Sequence, residues 1–418
     1  MTERTRVMLL LSSLNGGGAE RVAVHLINRC DPDIVDVRIG LLNRAGPFLA
    51  DADPARIDSS PIGEKLLPYA GHNSSFYRPD RLAAAIGLAP LNIRRMIEAH
   101  RPHVIMSFLK GMSLLTWIVV NGMGRDAPRW IAREGNNTDA VIDDELANPI
   151  ARSLVKGLTR RAYRRADCFL ANSHEMADGL RDALSLNAAR IRVIHNPIDV
   201  AMVRRRANEP LAHPPSRPFI VTAGRLEYQK GHDVLLKVFA ASHAARGMDL
   251  VILGRGTLEA SLKRQAAELG VAERARFPGF TDNPWAWIAK SELFVLPSRW
   301  EGFPSVVAET LACAAPALVT ACDFGPREVV EHGRSGWVVP PDDVGAFGAA
   351  MDMLLRRPDL TQQFRRNGPV RVASFDIDAM IEAYTDLFLE QAEARLVPAA
   401  RRARPRRSAL RARAAISG

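Results

Sequence analysis

Short apolar runs and amphipathic stretches alternate along nearly the whole chain. RVMLLLSSL, residues 6–14, is largely apolar, as expected of a strand buried on both faces. In the following AERVAVHLINRC, apolar positions recur every three or four residues, placing Ala19, Val22, Ala23, Leu26, Ile27 and Cys30 on one helical face. In the second half PFIVTAG, DLVILG, ARFPGF, ELFVLPS and PALVT read as strands, each followed by a turn and a helical stretch. A repeated strand–helix unit builds parallel sheets, because the helix carries the chain back to the starting edge.

The rhythm breaks at VRRRANEPLAHPPSRP, residues 203–218, a polar, proline-rich stretch without a period that reads as a linker. It separates a domain over 1–200 from one over 219–385, the second closed by the helical stretch FDIDAMIEAYTDLFLEQAEA. Residues 395–418 form a basic tail expected to be disordered. The expected fold class is α/β, with two doubly wound, Rossmann-like domains. In such sheets ligands bind outside the carboxyl ends of the strands, so the loops after the strands are where chemistry is sought.

Composition removes several alternatives. Cys30, Cys168, Cys313 and Cys322 are scattered, without a C-x-x-C pair or histidines at ligand spacing, so neither a disulfide framework nor a zinc site is indicated, and a reducing compartment is expected. The net charge of +10 is concentrated at the end: eight arginines and no acidic residue lie between Arg395 and Gly418, leaving a nearly neutral body. That tail has no interleaved aromatics for base stacking, so no nucleic-acid partner is expected. The apolar run 104–120 is interrupted by Lys110 and Gly111 and is too short to span a bilayer, and the N-terminal run leads into NGGGAERV rather than a cleavage site.

Three stretches carry candidate chemistry. In LNGGGAER, Gly16, Gly17 and Gly18 let backbone approach a ligand at a helix N-terminus. Arg21 stands where a dinucleotide fingerprint would need its third glycine, and a tight structural turn would use the same residues. In TAGRLEYQKG, Arg225 leaves a strand end and Lys230 follows five residues later; two such cations suit a diphosphate, and a solvated basic loop is the alternative. In SRWEGFPSVVAE, Pro304 suits a first helical turn, with Glu301 in the loop before it, Glu309 inside the helix, and the N–H groups of Phe303, Ser305 and Val306 at the helix end. A helix N-terminus facing a phosphate, flanked by carboxylates that accept hydroxyls, makes a coherent nucleotide-sugar site. A single glutamate there is also favoured by the helix dipole alone.

Together GGGAERV, GRLEYQKG, LGRG, PGFTDNP and LPSRWEGFPSVVAETLACAAPALVT resemble the retaining GT-B glycosyltransferases of family 4. NGGGAERV and DFGPREVVEHGRSGWVVP resemble the branch that builds lipid-linked oligosaccharides, lipopolysaccharide cores and exopolysaccharides. The resemblance covers the chain to about residue 390. It implies two domains facing a central cleft, and transfer of a sugar from a nucleoside diphosphate sugar, a uridine one, to a hydroxyl of a membrane-lipid-linked glycan.

The roles it implies are residue-specific. Arg225 and Lys230 would neutralise the leaving diphosphate, Glu301 would contact the transferred sugar, and Glu309 would hold the ribose. Backbone from Phe303 through Pro304 and Ser305 to Val306 would bind sugar or phosphate, Phe280 and Thr281 would meet the base, and Gly16–Gly18 would approach from the other domain. Where some members carry a cleft histidine, WIAREGNNT offers Glu134, either as an acceptor-orienting or proton-accepting group or as an ion-pair partner of Arg133. His195 reads as structural.

The nucleotide sugar is a substrate, so no cofactor is expected, and no metal either: DAD (51–53) and DID (376–378) match a metal-binding pattern but sit in a proline-rich loop and at a helix start. In ARSLVKGLTRRAYRR, helical spacing sets Leu154, Val155, Leu158 and Ala162 on one side, with Lys156, Arg160, Arg164 and Arg165 around them. With the tail, this stretch predicts peripheral binding to an anionic membrane at its cytoplasmic face. A nucleotide-sugar epimerase on the same fold is the nearest rival.

Overall fold

A computed structural model describes residues 4–15, 17–59, 88–184, 186–211 and 213–396. Gly16 and the tail beyond residue 396 lie outside that set.

The two halves each form a parallel sheet. The first contains β1 (Thr5–Leu11), β2 (Val35–Leu41), β3 (Ile57–Ser59), β4 (Val104–Phe108), β5 (Arg129–Arg133), β6 (Cys168–Ala171) and β7 (Ile191–Val193), in the order β3-β2-β1-β4-β5-β6-β7. The second contains β8 (Phe219–Ala223), β9 (Asp249–Leu253), β10 (Ala275–Gly279), β11 (Leu293–Leu296), β12 (Ala317–Thr320) and β13 (Trp337–Val339), in the order β10-β9-β8-β11-β12-β13. Every strand pair within the two sheets is parallel.

Alternation of side chains explains the apolar runs. Val7, Leu9 and Leu11 enter the core on one face of the first sheet, and Met8 and Leu10 enter the core on the other. Both faces are covered by helices, so neither set of positions can be polar. The same alternation splits Phe219, Val221 and Ala223 from Ile220 in β8. Chain order reverses beside β1 in one sheet and beside β8 in the other, which opens a crevice at each of these strand ends.

Two boundaries differ from expectation. The proposed linker is partly helical: Val200–Ala207 forms a helix whose Val200, Val203 and Ala207 are buried in the second domain's core, so irregular chain begins only after residue 207. The last helix, Ile377–Leu396, does not close the second domain. Ile377, Ile381, Tyr384, Leu387, Phe388 and Ala392 pack with β1, β2 and the helix Gly18–Arg29 of the first domain. An apolar stripe needs an uncovered apolar face, and the first sheet offers one. Arg395, assigned to the tail, is also anchored: its guanidinium donates to the Pro102 carbonyl at 2.8 Å.

Candidate active site

The crevices of the two sheets face each other. The domains touch through an antiparallel bridge between Asn136 and Gly302, and a Cβ on Gly302 would lie 2.1 Å from the Gly135 carbonyl oxygen. No larger residue fits there without parting the domains. Asn196 adds a second contact: it accepts from Arg133 at 2.6 Å and donates to Ser305 Oγ at 3.0 Å, so a side chain from the first domain reaches the helix Ser305–Ala312 of the second.

The residues expected at the leaving diphosphate converge beyond β8 and β11. Lys230 Nζ lies 2.5 Å from Glu301 Oε1, and Ser298 Oγ donates to the same oxygen at 2.6 Å. The two side chains retain only 13% and 7% of their exposure, so each charge is held largely by the other. Lys230 is positioned by a tight turn whose Gly231 has φ +64°, with no room for a Cβ beside the Pro297 carbonyl oxygen at 2.1 Å. Arg225 is half-buried and donates to Gln229 Oε1 at 3.1 Å; its charge acts across the cleft on Glu20, Asp144 and Glu145 of the first domain. Gln229 then donates to the Trp300 carbonyl at 2.9 Å, tying the cation loop to the glutamate loop.

Glu309 is held in the second half of the cleft. Trp285 Nε1 donates to its Oε2 at 2.9 Å. Burial pushes its carboxyl above the ordinary range, with Arg21 and the Trp285 bond working the other way. Arg21 comes from the first helix, its guanidinium 4.4 Å from the Phe48 ring centroid and 5.9 Å from that of Trp285. Phe280 leaves the end of β10 with its residue surface 52% exposed, a platform open for stacking, and Thr281 beside it accepts from the Asn283 N–H.

Four expectations need adjustment. Pro304 caps the helix instead of opening it: the helix begins at Ser305, whose N–H donates to the Phe303 carbonyl at 2.9 Å and is taken up locally. The glycine loop does approach the other domain, since a Cβ on Gly18 would sit 3.9 Å from Ser305 Oγ. Its helix N-terminus, however, is covered by Glu20, whose carboxylate accepts from the Gly17 and Glu20 backbone and is pushed up by burial. Glu134 is withdrawn into the first domain, 2% exposed, with Oε1 taking the Gly135 N–H at 2.8 Å and Oε2 the Tyr163 hydroxyl at 2.5 Å. Both oxygens are thus engaged inside the first domain, and Arg133 donates to Tyr384 and Asn196 instead.

Comparison with known proteins places the chain in a family. Glycosyltransferase Family 4 proteins match over residues 16–202, and the Glycosyl transferases group 1 family matches over residues 203–371. The chain belongs to these glycosyltransferases. Its similar relatives include the N-acetylgalactosamine-N,N'-diacetylbacillosaminyl-diphospho-undecaprenol 4-alpha-N-acetylgalactosaminyltransferase of Campylobacter jejuni, 28% identical over 58% of this chain and 67% of that one. The lipopolysaccharide core biosynthesis glycosyltransferase LpsE of Rhizobium meliloti is 26% identical over 89% of this chain and 95% of its own. Among solved structures, Anabaena HepE in complex with UDP-glucose superposes with a TM-score of 0.71 at 16% identity, covering 94% of this chain and 100% of that one. Sucrose-phosphate synthase from Thermosynechococcus elongatus gives 0.73 at 18%, over 94% and 100%. At these identities the structures establish the GT-B fold.

The glycosyltransferase cleft also contains residues not singled out from sequence. Arg21 and Trp285 around Glu309, Gln229 between the two loops, and the Lys110–Glu145 pair at 3.0 Å are examples. Lys110 and Glu145 keep 9% and 8% of their exposure, and burial raises the Glu145 carboxyl. Lys110 sits in the first turn of the helix Leu109–Met123 that follows the end of β4, which is a signal that could have found it. No sequence spacing could have paired it with a residue 35 positions later.

Proposed function

We propose that the glycosyltransferase moves a sugar, with retention, from a UDP-sugar to a hydroxyl of a membrane-lipid-linked glycan in lipopolysaccharide or cell-surface polysaccharide synthesis. The observation that carries this reading is the Lys230–Glu301 pair with Arg225 beside it, at the strand ends of one domain and opposite the glycine loop of the other. Departure of a nucleoside diphosphate builds negative charge. Arg225, Lys230 and the N-terminus of the helix Ser305–Ala312 lie where fixed positive charge would stabilise it. Glu301 would accept sugar hydroxyls once Lys230 turns to phosphate, and Glu309, aimed by Trp285, would accept the ribose hydroxyls. In this reading the departing phosphate oxygen takes the acceptor's proton and no divalent metal takes part.

The lipid acceptor is favoured by the relatives above and by one surface. Ile150, Leu154 and Leu158 on the helix Pro149–Arg165 are 78%, 62% and 38% exposed, a stripe continued by exposed Arg161, Arg164 and Arg165. This corrects the face drawn from spacing, since Ala162 is buried and Val155 half-buried. Among the described residues no helix is long and apolar enough to cross a membrane; in this reading the stripe, apolar with arginines at its end, rests on the cytoplasmic leaflet.

Incubation with labelled UDP-sugars, with and without lipid-linked glycans, tests the proposal. Transfer that requires the acceptor and survives EDTA is expected. Conversion of donor without acceptor would mean an epimerase, and transfer only to soluble acceptors would remove the lipid assignment.

A further inference from the structure

Beside the donor loop, three potential metal ligands meet across the domain boundary. His174 opens the helix His174–Leu184, His195 follows β7, and Glu328 lies in the short helix Pro326–Val329 of the second domain. His195 Nε2 is 2.9 Å from Glu328 Oε2, and one ligand atom from each of the three residues lies within 4.8 Å of the others. No role in the cleft described above uses these three side chains.

Two of them are held in place. His195 packs against Phe303 and Phe375, with ring centroids 5.3 and 5.1 Å away. Glu328 is oriented by the Glu175 N–H, which donates to its Oε1 at 2.7 Å. Glu328 also takes the hydrogen bond from His195, so its carboxylate is fixed between the two domains. Neighbouring charges are already engaged: Arg327 pairs with Glu175 at 2.8 Å, and Arg371 donates to the Glu328 and Val329 carbonyls and lies 5.1 Å from the Phe375 ring.

We propose that His174, His195 and Glu328 form a zinc-class divalent cation site that bridges the two domains. Two imidazoles and one carboxylate select Zn²⁺ over Mg²⁺ or Ca²⁺, which favour oxygen. Bonds of about 2.0–2.1 Å in a tetrahedral shell bring ligand atoms to about 3.4 Å from one another. His195 and Glu328 are already closer than that, and exposed His174 lies with its ring edge-on to that of His195, centroids 5.5 Å apart. Water completes the shell from the exposed side. By pinning Glu328, and through His195 the Phe303 loop, to the first domain, the ion restrains opening of the cleft. The site stands independently of the donor and acceptor assigned above.

Metal-free full-length protein titrated with Zn²⁺ by calorimetry is expected to show one saturable site. Zinc-edge X-ray absorption should report two imidazole nitrogens and oxygen, without sulfur. His174→Ala, an exposed change that leaves the fold intact, and Glu328→Gln should each raise the Kd at least about tenfold. Absence of Zn²⁺ binding, sulfur in the shell from one of the four cysteines, or an unchanged Kd in both variants would overturn the site.

Discussion

At the residue scale, the cleft depends on charges that are each held by a specific partner. The side-chain hydrogen bond of Arg225 goes to the Gln229 amide and its charge reaches Glu20, Asp144 and Glu145 only across the cleft, so Arg225→Ala removes a cation without breaking a direct ion pair. Turnover should fall about 10²- to 10³-fold with the melting temperature preserved, and near-normal turnover would reject its role at the diphosphate. Lys230→Ala has a second effect, because it leaves Glu301 buried with Ser298 as its remaining partner. It should lose both turnover and thermal stability. Adding Glu301→Gln should restore stability but not turnover. Glu309 carries a pH prediction. In the proposed ribose role the carboxylate form would accept the hydroxyls, and its pKa is raised, so UDP affinity should decline on acidification at a pH above the ordinary carboxylate range. Titrations across mildly acidic pH should show this step in wild type and not in Glu309→Gln.

At the element scale, the helix Pro149–Arg165 divides its faces unequally. Thr159, Ala162 and Tyr163 fix it to the first domain, which leaves Ile150, Leu154 and Leu158 outward without a covering element among the described residues. Because Leu154 is 62% exposed, Leu154→Glu should leave stability within about 0.5 kcal/mol of wild type. The same change should sharply reduce co-sedimentation with anionic liposomes. Wild-type co-sedimentation should itself fall at about 0.5 M salt as the Debye length shrinks. A wild-type protein that ignores anionic liposomes at low salt would exclude this helix as a membrane surface. The DAD and DID segments have local structural uses at this scale: Asp53 accepts from the Ala55 N–H and Asp376 from the Asp378 N–H, each within a turn.

At the scale of the whole molecule, the domains are joined by the last helix and by close backbone approach in the cleft. Gly302→Ala places a methyl group 2.1 Å from the Gly135 carbonyl oxygen, and backbone on both sides leaves nothing flexible to yield. The domains should separate locally. Small-angle scattering should report a larger radius and turnover should drop, while each domain keeps its secondary structure. Unchanged scattering and turnover would mean that the contact does not govern closure.

The alternation of apolar runs and helical stretches was enough to establish two doubly wound sheets, because strands covered on both faces must be apolar throughout and crossover helices must be amphipathic. The loops carrying Arg225, Lys230 and Glu301, and the helix carrying Glu309, were legible as a candidate site for a similar local reason: glycines, a proline and charged side chains at short spacing mark the turn from a strand end into a helix. Contacts between residues distant in sequence were decided only in the tertiary structure. No periodicity shows that the helix Ile377–Leu396 covers the first sheet and not the second, because its apolar stripe fits any uncovered apolar face. Nor does spacing show that Glu134 spends its carboxylate on Tyr163 while Lys230 and Glu301 find each other. His174, His195 and Glu328 lie on three separate elements, so their meeting depends on how the two domains pack and not on any local pattern.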